Sequence, residues 1–130
     1  MKKYKNKSIE AHGIKWDSYS ELARYEQLID LEKEGAIQNL KPHSKEIRFL
    51  LLEACTYKDI AGKTKKQLPT TYTPDFLYVI NGVSVAEDVK GMITDAFRIK
   101  AKMFRARYPK IVLRLVKAGF SKNKHTFKDI

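Results

Sequence analysis

Two aspartates and a lysine near the middle of the chain have the types and spacing to do chemistry. Asp75 follows Pro74, and Asp88 comes two residues before Lys90. Carboxylate oxygens suit Mg²⁺, which binds proteins through a few carboxylates together with waters and substrate phosphate oxygens. A cation held by Asp75 and Asp88 would polarise a phosphodiester and lower the pKa of a bound water, while Lys90 could orient that water or neutralise developing charge. The pattern predicts a divalent-metal site for phosphodiester hydrolysis, with the carbonyl of Val89 as an additional ligand.

A tight hairpin is expected to bring these residues together. Residues 71–80 are rich in β-branched and aromatic side chains, the Asn-Gly pair that follows suits a type I′ turn, and residues 83–90 then fold back antiparallel. Because side chains alternate along a strand, Asp88 and Lys90 share one face and Glu87 points to the other. Asp88 is therefore the predicted partner of Lys90.

A helix before the hairpin supplies a third carboxylate. It is predicted to begin near Ser18, whose hydroxyl can cap it, and to stop at Gly35. Helical periodicity turns Glu21 towards the apolar side and leaves Glu26 at its margin. Glu21 is the better candidate for a further metal ligand, although the choice between the two glutamates stays open. Glu21 could instead complete a capping box with Ser18.

The other site residues also have ordinary structural explanations. Asp75 could be a turn residue that follows a proline. Asp88 and Lys90 could form an ion pair on a solvated strand face. It is the convergence of all these groups at one edge of a sheet that favours the metal site.

The remaining pattern predicts further elements of an α/β domain. We expect a short strand around residues 9–14, a buried strand at 47–55, an exposed basic loop at 57–69, a second helix over 94–108 and a last strand at 111–116. The predicted order is helix, three strands, helix, strand.

Size and charge define the class of protein. The 130 residues, 43% of them hydrophobic, suit a single domain over 1–130, with a basic lead-in at 1–15 and a flexible basic tail at about 121–130. A net charge of +11 favours a polyanionic partner, with nucleic acid as the leading candidate. Cys55 is the only cysteine, which excludes an internal disulfide; we expect it in the core. No segment resembles a signal peptide or a membrane span, so we expect a cytoplasmic protein with no membrane partner.

Other chemistries find no support in the sequence. The three histidines lie in different segments, and with one cysteine they make no zinc pattern. P-loop, dinucleotide-binding and serine-nucleophile motifs are all absent from the sequence.

Basic residues on the second helix and in the basic loop are candidates for contacts with DNA phosphates. The helix also carries an aromatic stripe that we assign to the core, and its cations follow directly on the metal-site strand. The alternative is that they only solvate a surface. The predicted DNA-binding residues are Arg98, Lys100, Lys102 and Arg105 on the helix and Lys63, Lys65 and Lys66 in the loop.

Pro74-Asp75 with Asp88-Val89-Lys90, preceded by an acidic helix, resembles the PD-(D/E)XK nuclease superfamily. More narrowly, the chain is similar to a phage-encoded branch of it, of the endonuclease I type of Holliday-junction resolvase, over roughly residues 5–117. The segments that carry this likeness are Lys5-Asn6-Lys7, Gly13-Ile14-Lys15-Trp16-Asp17-Ser18 leading into Glu21, Tyr72-Thr73-Pro74-Asp75-Phe76 and Glu87-Asp88-Val89-Lys90-Gly91.

The resemblance implies a restriction-endonuclease-like core, with a mixed central β-sheet flanked by helices. It also implies DNA cleavage that depends on Mg²⁺, for which Mn²⁺ substitutes, and often a homodimer. The catalytic positions of the family match Glu21, Asp75, Asp88 and Lys90.

We therefore expect a metal-dependent endodeoxyribonuclease that is structure-selective for branched DNA, such as a Holliday junction, in phage replication or recombination. If the chain is phage-encoded, its place is the cytoplasm of the host cell. The alternatives are a non-catalytic nucleic-acid-binding module that retains the nuclease fold and a basic RNA-binding protein.

Overall fold

A computed structural model describes residues 9–130 of the protein, and these form an α/β fold with two α-helices and a mixed five-stranded sheet. The α/β class is thus confirmed. In chain order, the elements are β1 (Ile9–Ala11), β2 (Ile14–Trp16), α1 (Tyr19–Lys33), β3 (Gln38–Pro42), a short 3-10 helix (Lys45–Ile47), β4 (Phe49–Leu52), β5 (Cys55–Lys58), β6 (Thr64–Gln67), β7 (Thr70–Tyr72), β8 (Phe76–Ile80), β9 (Val83–Lys90), α2 (Asp95–Arg107), β10 (Val112–Ser121) and β11 (Lys124–Asp129).

The central sheet has the strand order β11-β10-β9-β8-β3, so β9 is its middle strand. Strands β8 and β9 form the predicted antiparallel hairpin, with φ angles of 50° at Asn81 and 79° at Gly82, as a type I′ turn requires. Strand β10 pairs parallel to β9, and α2 lies in the connection between them. The strand that carries Asp88 and Lys90 is therefore held on both sides.

The two helices pack on opposite faces of this sheet, because side chains of β9 alternate between two cores. On one face, Val85 and Tyr78 pack with Leu28 of α1. On the other face, Ala86 packs with Phe104 of α2. The aromatic stripe of α2 lies in the core as predicted, since Phe104 is fully buried.

Both helices have side-chain caps that explain where they begin. The hydroxyl of Ser18 accepts a hydrogen bond from the Glu21 amide at 3.2 Å, and that of Thr94 accepts one from the Phe97 amide at 3.1 Å. Neither helix of residues 9–130 is long and apolar enough to cross a bilayer.

A buried ion pair fixes α1 to the middle strand. Glu87 is completely buried, and Arg24 donates to its two carboxylate oxygens at 2.7 and 2.9 Å. The hydroxyl of Tyr78 also donates to Glu87 and accepts from Arg114 at 3.0 Å. Burial and the nearby Glu87 carboxylate raise the pKa of Tyr78 to about 12. A carboxylate that is removed from water needs hydrogen-bond and charge partners. The contact between Arg24 and Glu87 therefore fixes the position of α1 on the sheet.

The middle of the chain departs from the predicted elements. The single strand expected at 47–55 is wrong, because a 3-10 helix precedes β4 and β4 stops at Leu52, which is exposed. The basic region at 57–69 is exposed as expected, but it is not a loop: β5 and β6 pair there as a separate two-stranded sheet. Cys55 is exposed rather than part of the core.

Both ends of the described chain are more ordered than predicted. The lead-in strand is a hairpin of β1 and β2 that turns at His12 and Gly13, both with positive φ; residues 1–8 of the lead-in lie outside the described residues. The tail contains a strand that was not predicted, since β11 pairs with β10 and Arg114 donates to Asp129 at 2.7 Å. The polar edge strand β3 was not predicted at all.

The Glu87→Gln variant should lose about 3–5 kcal/mol of unfolding free energy, because it leaves the Arg24 guanidinium buried without a counter-charge. Urea unfolding followed by fluorescence of the single, fully buried Trp16 measures this. Glu53→Gln is the matched control, since Glu53 pairs with Arg107 in solvent and should cost less than about 1 kcal/mol. Equal losses in the two variants would contradict the assigned role of Glu87.

Candidate functional site

Asp75 and Asp88 lie beside each other next to the β8–β9 hairpin. The amide of Asp75 donates to Asp88 Oδ1 at 3.2 Å, and the amide of Val89 donates to Asp75 Oδ2 at 2.8 Å. Phe76 is paired with Glu87 in the antiparallel hairpin. Asp75, which precedes Phe76, therefore lies opposite Asp88, which follows Glu87. The hairpin therefore brings the two aspartates together as the sequence predicts. The carbonyl of Val89 as a metal ligand stays a prediction.

Lys90 is bound to Asp88, the partner that side-chain alternation predicts. Its Nζ lies 2.9 Å from Asp88 Oδ2, and the two side chains are 24% and 6% exposed. The same Nζ lies 3.8 Å from the centre of the Phe97 ring, where a cation is attracted to the aromatic face. The ion pair that the alternative interpretation expected is thus present, but it does not lie on a solvated face, because Asp88 is buried.

Glu21 is the helix glutamate that faces the aspartates. Burial raises the pKa of Glu21, and the Asp75 carboxyl lies close enough to influence it. Glu26 is exposed and bonded to His12 at 3.2 Å, so it has a different partner. The alternative role of Glu21, in capping the helix together with Ser18, is observed with a different donor. The Ser18 hydroxyl donates to the Glu21 carboxylate at 3.3 Å.

The site has more negative than positive charge. Burial raises the pKa of Asp75 to about 9, and repulsion from Asp88 and then Glu21 adds to the effect. Lys90 pairs with one of these three carboxyl groups, that of Asp88. The cluster consequently favours either a bound proton or a further cation.

Tyr72 contributes a buried hydroxyl that the sequence analysis did not single out. This hydroxyl has no hydrogen-bond partner among residues 9–130. Burial and the neighbouring Asp88 carboxylate raise the pKa of the phenol. His43 was also missed, although its charge lowers the pKa of Glu21. Only tertiary contact reveals these two neighbours, and the one signal available for Tyr72 was its place two residues before Pro74.

An open cleft of about 350 Å³ gives access to the aspartates. It is formed where the end of β9 meets the first turns of α2. Its lining residues are Tyr72, Thr73, Asp75, Asp88, Lys90, Thr94, Ala96, Phe97 and Lys100.

The predicted DNA-binding residues are not all placed at this cleft. Lys100 lines it, and the charge of Arg105 is close enough to lower the pKa of Tyr72. Arg98 lines a different depression with Lys117, and Lys102 is exposed elsewhere on α2. Lys63, Lys65 and Lys66 lie on the β5–β6 hairpin and its turn.

The donor groups fit a hydrated divalent cation better than a fully enclosed one. Within residues 9–130, no three His, Cys, Asp or Glu side chains are arranged to hold a metal by themselves. Mg²⁺ does not need such a set, since it binds through one or two carboxylates and fills its other positions with water and phosphate. Asp75 and Asp88 are the residues that would hold it. The crowded negative charge is consistent with a hydrated cation at this place.

The Asp75→Asn variant should change how stability depends on pH when divalent cations are absent. The pKa of Asp75 is higher in the folded protein than its ordinary value of 3.8, so the folded state holds this proton more tightly. Stability present at low pH is therefore lost as the pH rises from about 4 to about 9. Asparagine keeps the acceptor for the Val89 amide but does not titrate. Urea midpoints in EDTA at pH 5, 7 and 9 should fall for the wild type relative to the variant; parallel curves would contradict the assignment.

Comparison with known proteins gives a family for the chain without giving it a function. No curated protein matches the chain, and no solved structure matches it. A family model described as "Protein of unknown function (DUF1064)" matches residues 1–123, which is nearly the whole sequence. The protein therefore belongs to the DUF1064 family.

Proposed function

We propose that this protein is a metal-dependent endodeoxyribonuclease that hydrolyses phosphodiester bonds. The observation that carries this proposal is the Asp75–Asp88 pair with Lys90 bound beside it, at the wall of an open cleft. Two carboxylates can hold a metal ion that activates water, and a nearby amine can offset charge that develops on the phosphate, so this arrangement can support hydrolysis of a phosphate diester.

Each residue has a role that follows from its surroundings. Asp75 and Asp88 would hold Mg²⁺ or Mn²⁺, which when bound supplies an activated water and an electrophile for the phosphate oxygens. Lys90 lies against Phe97 and Asp88, so its ammonium is fixed where it can offset charge that develops on the phosphate. Glu21 accepts from Ser18 and faces Asp75, which suits it to orient a water of the site.

The fold supports the same assignment at a coarser level. An acidic helix, an antiparallel hairpin with the aspartates, a second helix and a parallel strand follow one another around a mixed sheet. This order is the one expected of a restriction-endonuclease-like core. Selectivity for branched DNA or Holliday junctions, a homodimer, and a place in phage replication or recombination in the host cytoplasm are proposed on the sequence resemblance alone.

The positive charge of the chain fits DNA as the substrate. Lys100 lines the cleft beside the aspartates, and the charge of Arg105 acts on Tyr72 in the wall of the cleft. Such cations bind phosphates on either side of a scissile bond, and the net charge of +11 strengthens binding of any polyanion.

A non-catalytic nucleic-acid-binding module is the second candidate, and one observation favours it. The carboxylates already have internal partners: Lys90 binds Asp88 and the Val89 amide binds Asp75. A protein that had lost its metal could keep such contacts as structural ones. Hydrolysis requires Lys90 and Asp88 to exchange part of their contact for a cation.

The Asp88→Asn variant should lose cleavage by about 10²-fold or more, because it removes one charged ligand and leaves Lys90 without its partner. Purified protein is incubated with supercoiled plasmid, linear duplex and a four-way junction in Mg²⁺, in Mn²⁺ and in EDTA. Asparagine keeps the acceptor for the Asp75 amide, so folding and DNA binding should persist. Asp30→Asn, an exposed carboxylate of α1, is the matched control and should cut like the wild type.

Two results would overturn the proposal. Wild-type protein that binds DNA but cuts none of the substrates with either metal is a binding module. Tighter binding of structured RNA than of junction DNA, without metal dependence, indicates the RNA-binding alternative.

A further inference from the structure

Strands β5 and β6 with their connecting turn form a hairpin that projects from the fold, which we call the arm (residues 55–67). The two strands pair as a separate sheet, and β5 and β6 are exposed along their entire length. The exposed stretch extends over residues 52–69, in which Asp59 alone is half-buried. The arm therefore presents both of its faces to solvent.

The turn at the end of the arm is fixed by its own hydrogen bonds. Asp59 Oδ1 accepts from the amides of Ala61 and Lys63, both at 2.9 Å. The backbone of Asp59 also exchanges hydrogen bonds with Lys63 O and the Gly62 amide, at 3.0 and 2.9 Å. Gly62 has the positive φ, 81°, that this turn needs. These contacts hold Ile60, which is fully exposed, at the tip.

Lysines lie on both faces of the arm. Lys65 is paired with Tyr57 on one face, whereas Lys66 pairs with Thr56 on the other. Lys58 shares the second face with Lys66 and donates to Thr64 across the strands. The carboxylate of Asp59, the one acidic group between residues 54 and 68, already serves the turn. The arm is a ribbon with positive charge on both faces.

We propose that the arm enters the major groove of duplex DNA, with the lysines of its two faces on the phosphates of the two groove walls and Ile60 against the base edges. This deepens the proposed function and rests on it for the nature of the substrate. The major groove, about 12 Å wide and 8.5 Å deep, admits a two-stranded ribbon. Four residues per strand at about 3.4 Å each give a length of about 14 Å, which reaches the floor.

The arm is joined to the candidate site through a short and ordered path. It continues from β4 and β7, which pair with each other, and β7 ends at Tyr72 in the wall of the cleft. A duplex that holds the arm in its groove is thereby positioned beside Asp75. The arm would contact the duplex to one side of the scissile bond and would not contact the scissile bond itself.

Charge decides between DNA and a second copy of this chain as the occupant. A homodimer would form through another surface, because two arms with lysines on both faces repel one another. The phosphates of a duplex instead form two negative walls at the spacing of the groove. Duplex DNA is thus the partner that complements the arm.

The test is duplex binding by the full chain in EDTA, so that cleavage plays no part. Fluorescence anisotropy with a labelled 20-base-pair duplex is measured across a salt series. The double variant Lys65→Gln/Lys66→Gln should lower the slope of log K against log salt by about 2, since each phosphate contact contributes about 0.9. The control Lys122→Gln/Lys124→Gln removes two exposed lysines near the β10–β11 turn and should leave the slope unchanged.

Ile60→Ser supplies the second readout, because it keeps every charge. It should weaken duplex binding severalfold without a change of slope. Methyl green, a major-groove ligand, should compete with the wild type, whereas the minor-groove ligand netropsin should not. Far-ultraviolet circular dichroism establishes that the variants remain folded.

The outcomes separate this inference from the nuclease proposal. An unchanged slope for Lys65→Gln/Lys66→Gln, or an equal loss in the Lys122/Lys124 control, overturns the arm as a DNA contact. Loss of self-association with intact DNA binding would make the arm a dimer element and overturns it too. A protein that binds through the arm but never cuts refutes the nuclease and leaves the arm in place.

Discussion

The buried Arg24–Glu87 ion pair is the contact on which the candidate site depends. It joins the middle of α1 to the middle strand of the sheet, and because both groups are removed from water neither can rotate away without leaving a charge unpaired. Glu21 precedes Arg24 by one helical turn, so the rotation that satisfies the ion pair also turns Glu21 towards Asp75. Glu87 and Asp88 are neighbours on β9 and face opposite sides of the sheet. One residue anchors the helix, and the next one faces the cleft.

The electrostatics of the site follow from this anchoring. Asp75, Asp88 and Glu21 come together although like charges repel, and the folding energy stored elsewhere in the sheet and its two cores offsets that repulsion. Lys90 neutralises one of the three charges, and burial of Asp75 makes the remainder costly. Such a cluster has a lower free energy when it binds a proton or a cation. This is the physical basis of the proposed metal dependence.

The sequence predicts the elements whose patterns are local. The Asn81-Gly82 hairpin, the two capped helices and the alternation that separates Glu87 from Asp88 are all as expected, because turn chemistry and side-chain periodicity determine them. Strands β5 and β11 were missed since their residues are mostly polar and show no buried face. Cys55 was misplaced for the same reason: a small apolar residue looks like core until its strand is known to project. Tyr72 and His43 join the site only through tertiary packing, which no short-range pattern encodes.

The parallel pairing of β9 with β10 has a consequence for the way the chain is made. Residues Val85–Lys90 of β9 pair with Val112–Lys117 of β10. Until that later segment has left the ribosome, the strand that carries Asp88 has one unpaired edge. An unprotected edge of this kind templates pairing with other chains. Chains that end before residue 117 should accordingly aggregate or require chaperones, rather than fold into a smaller stable domain.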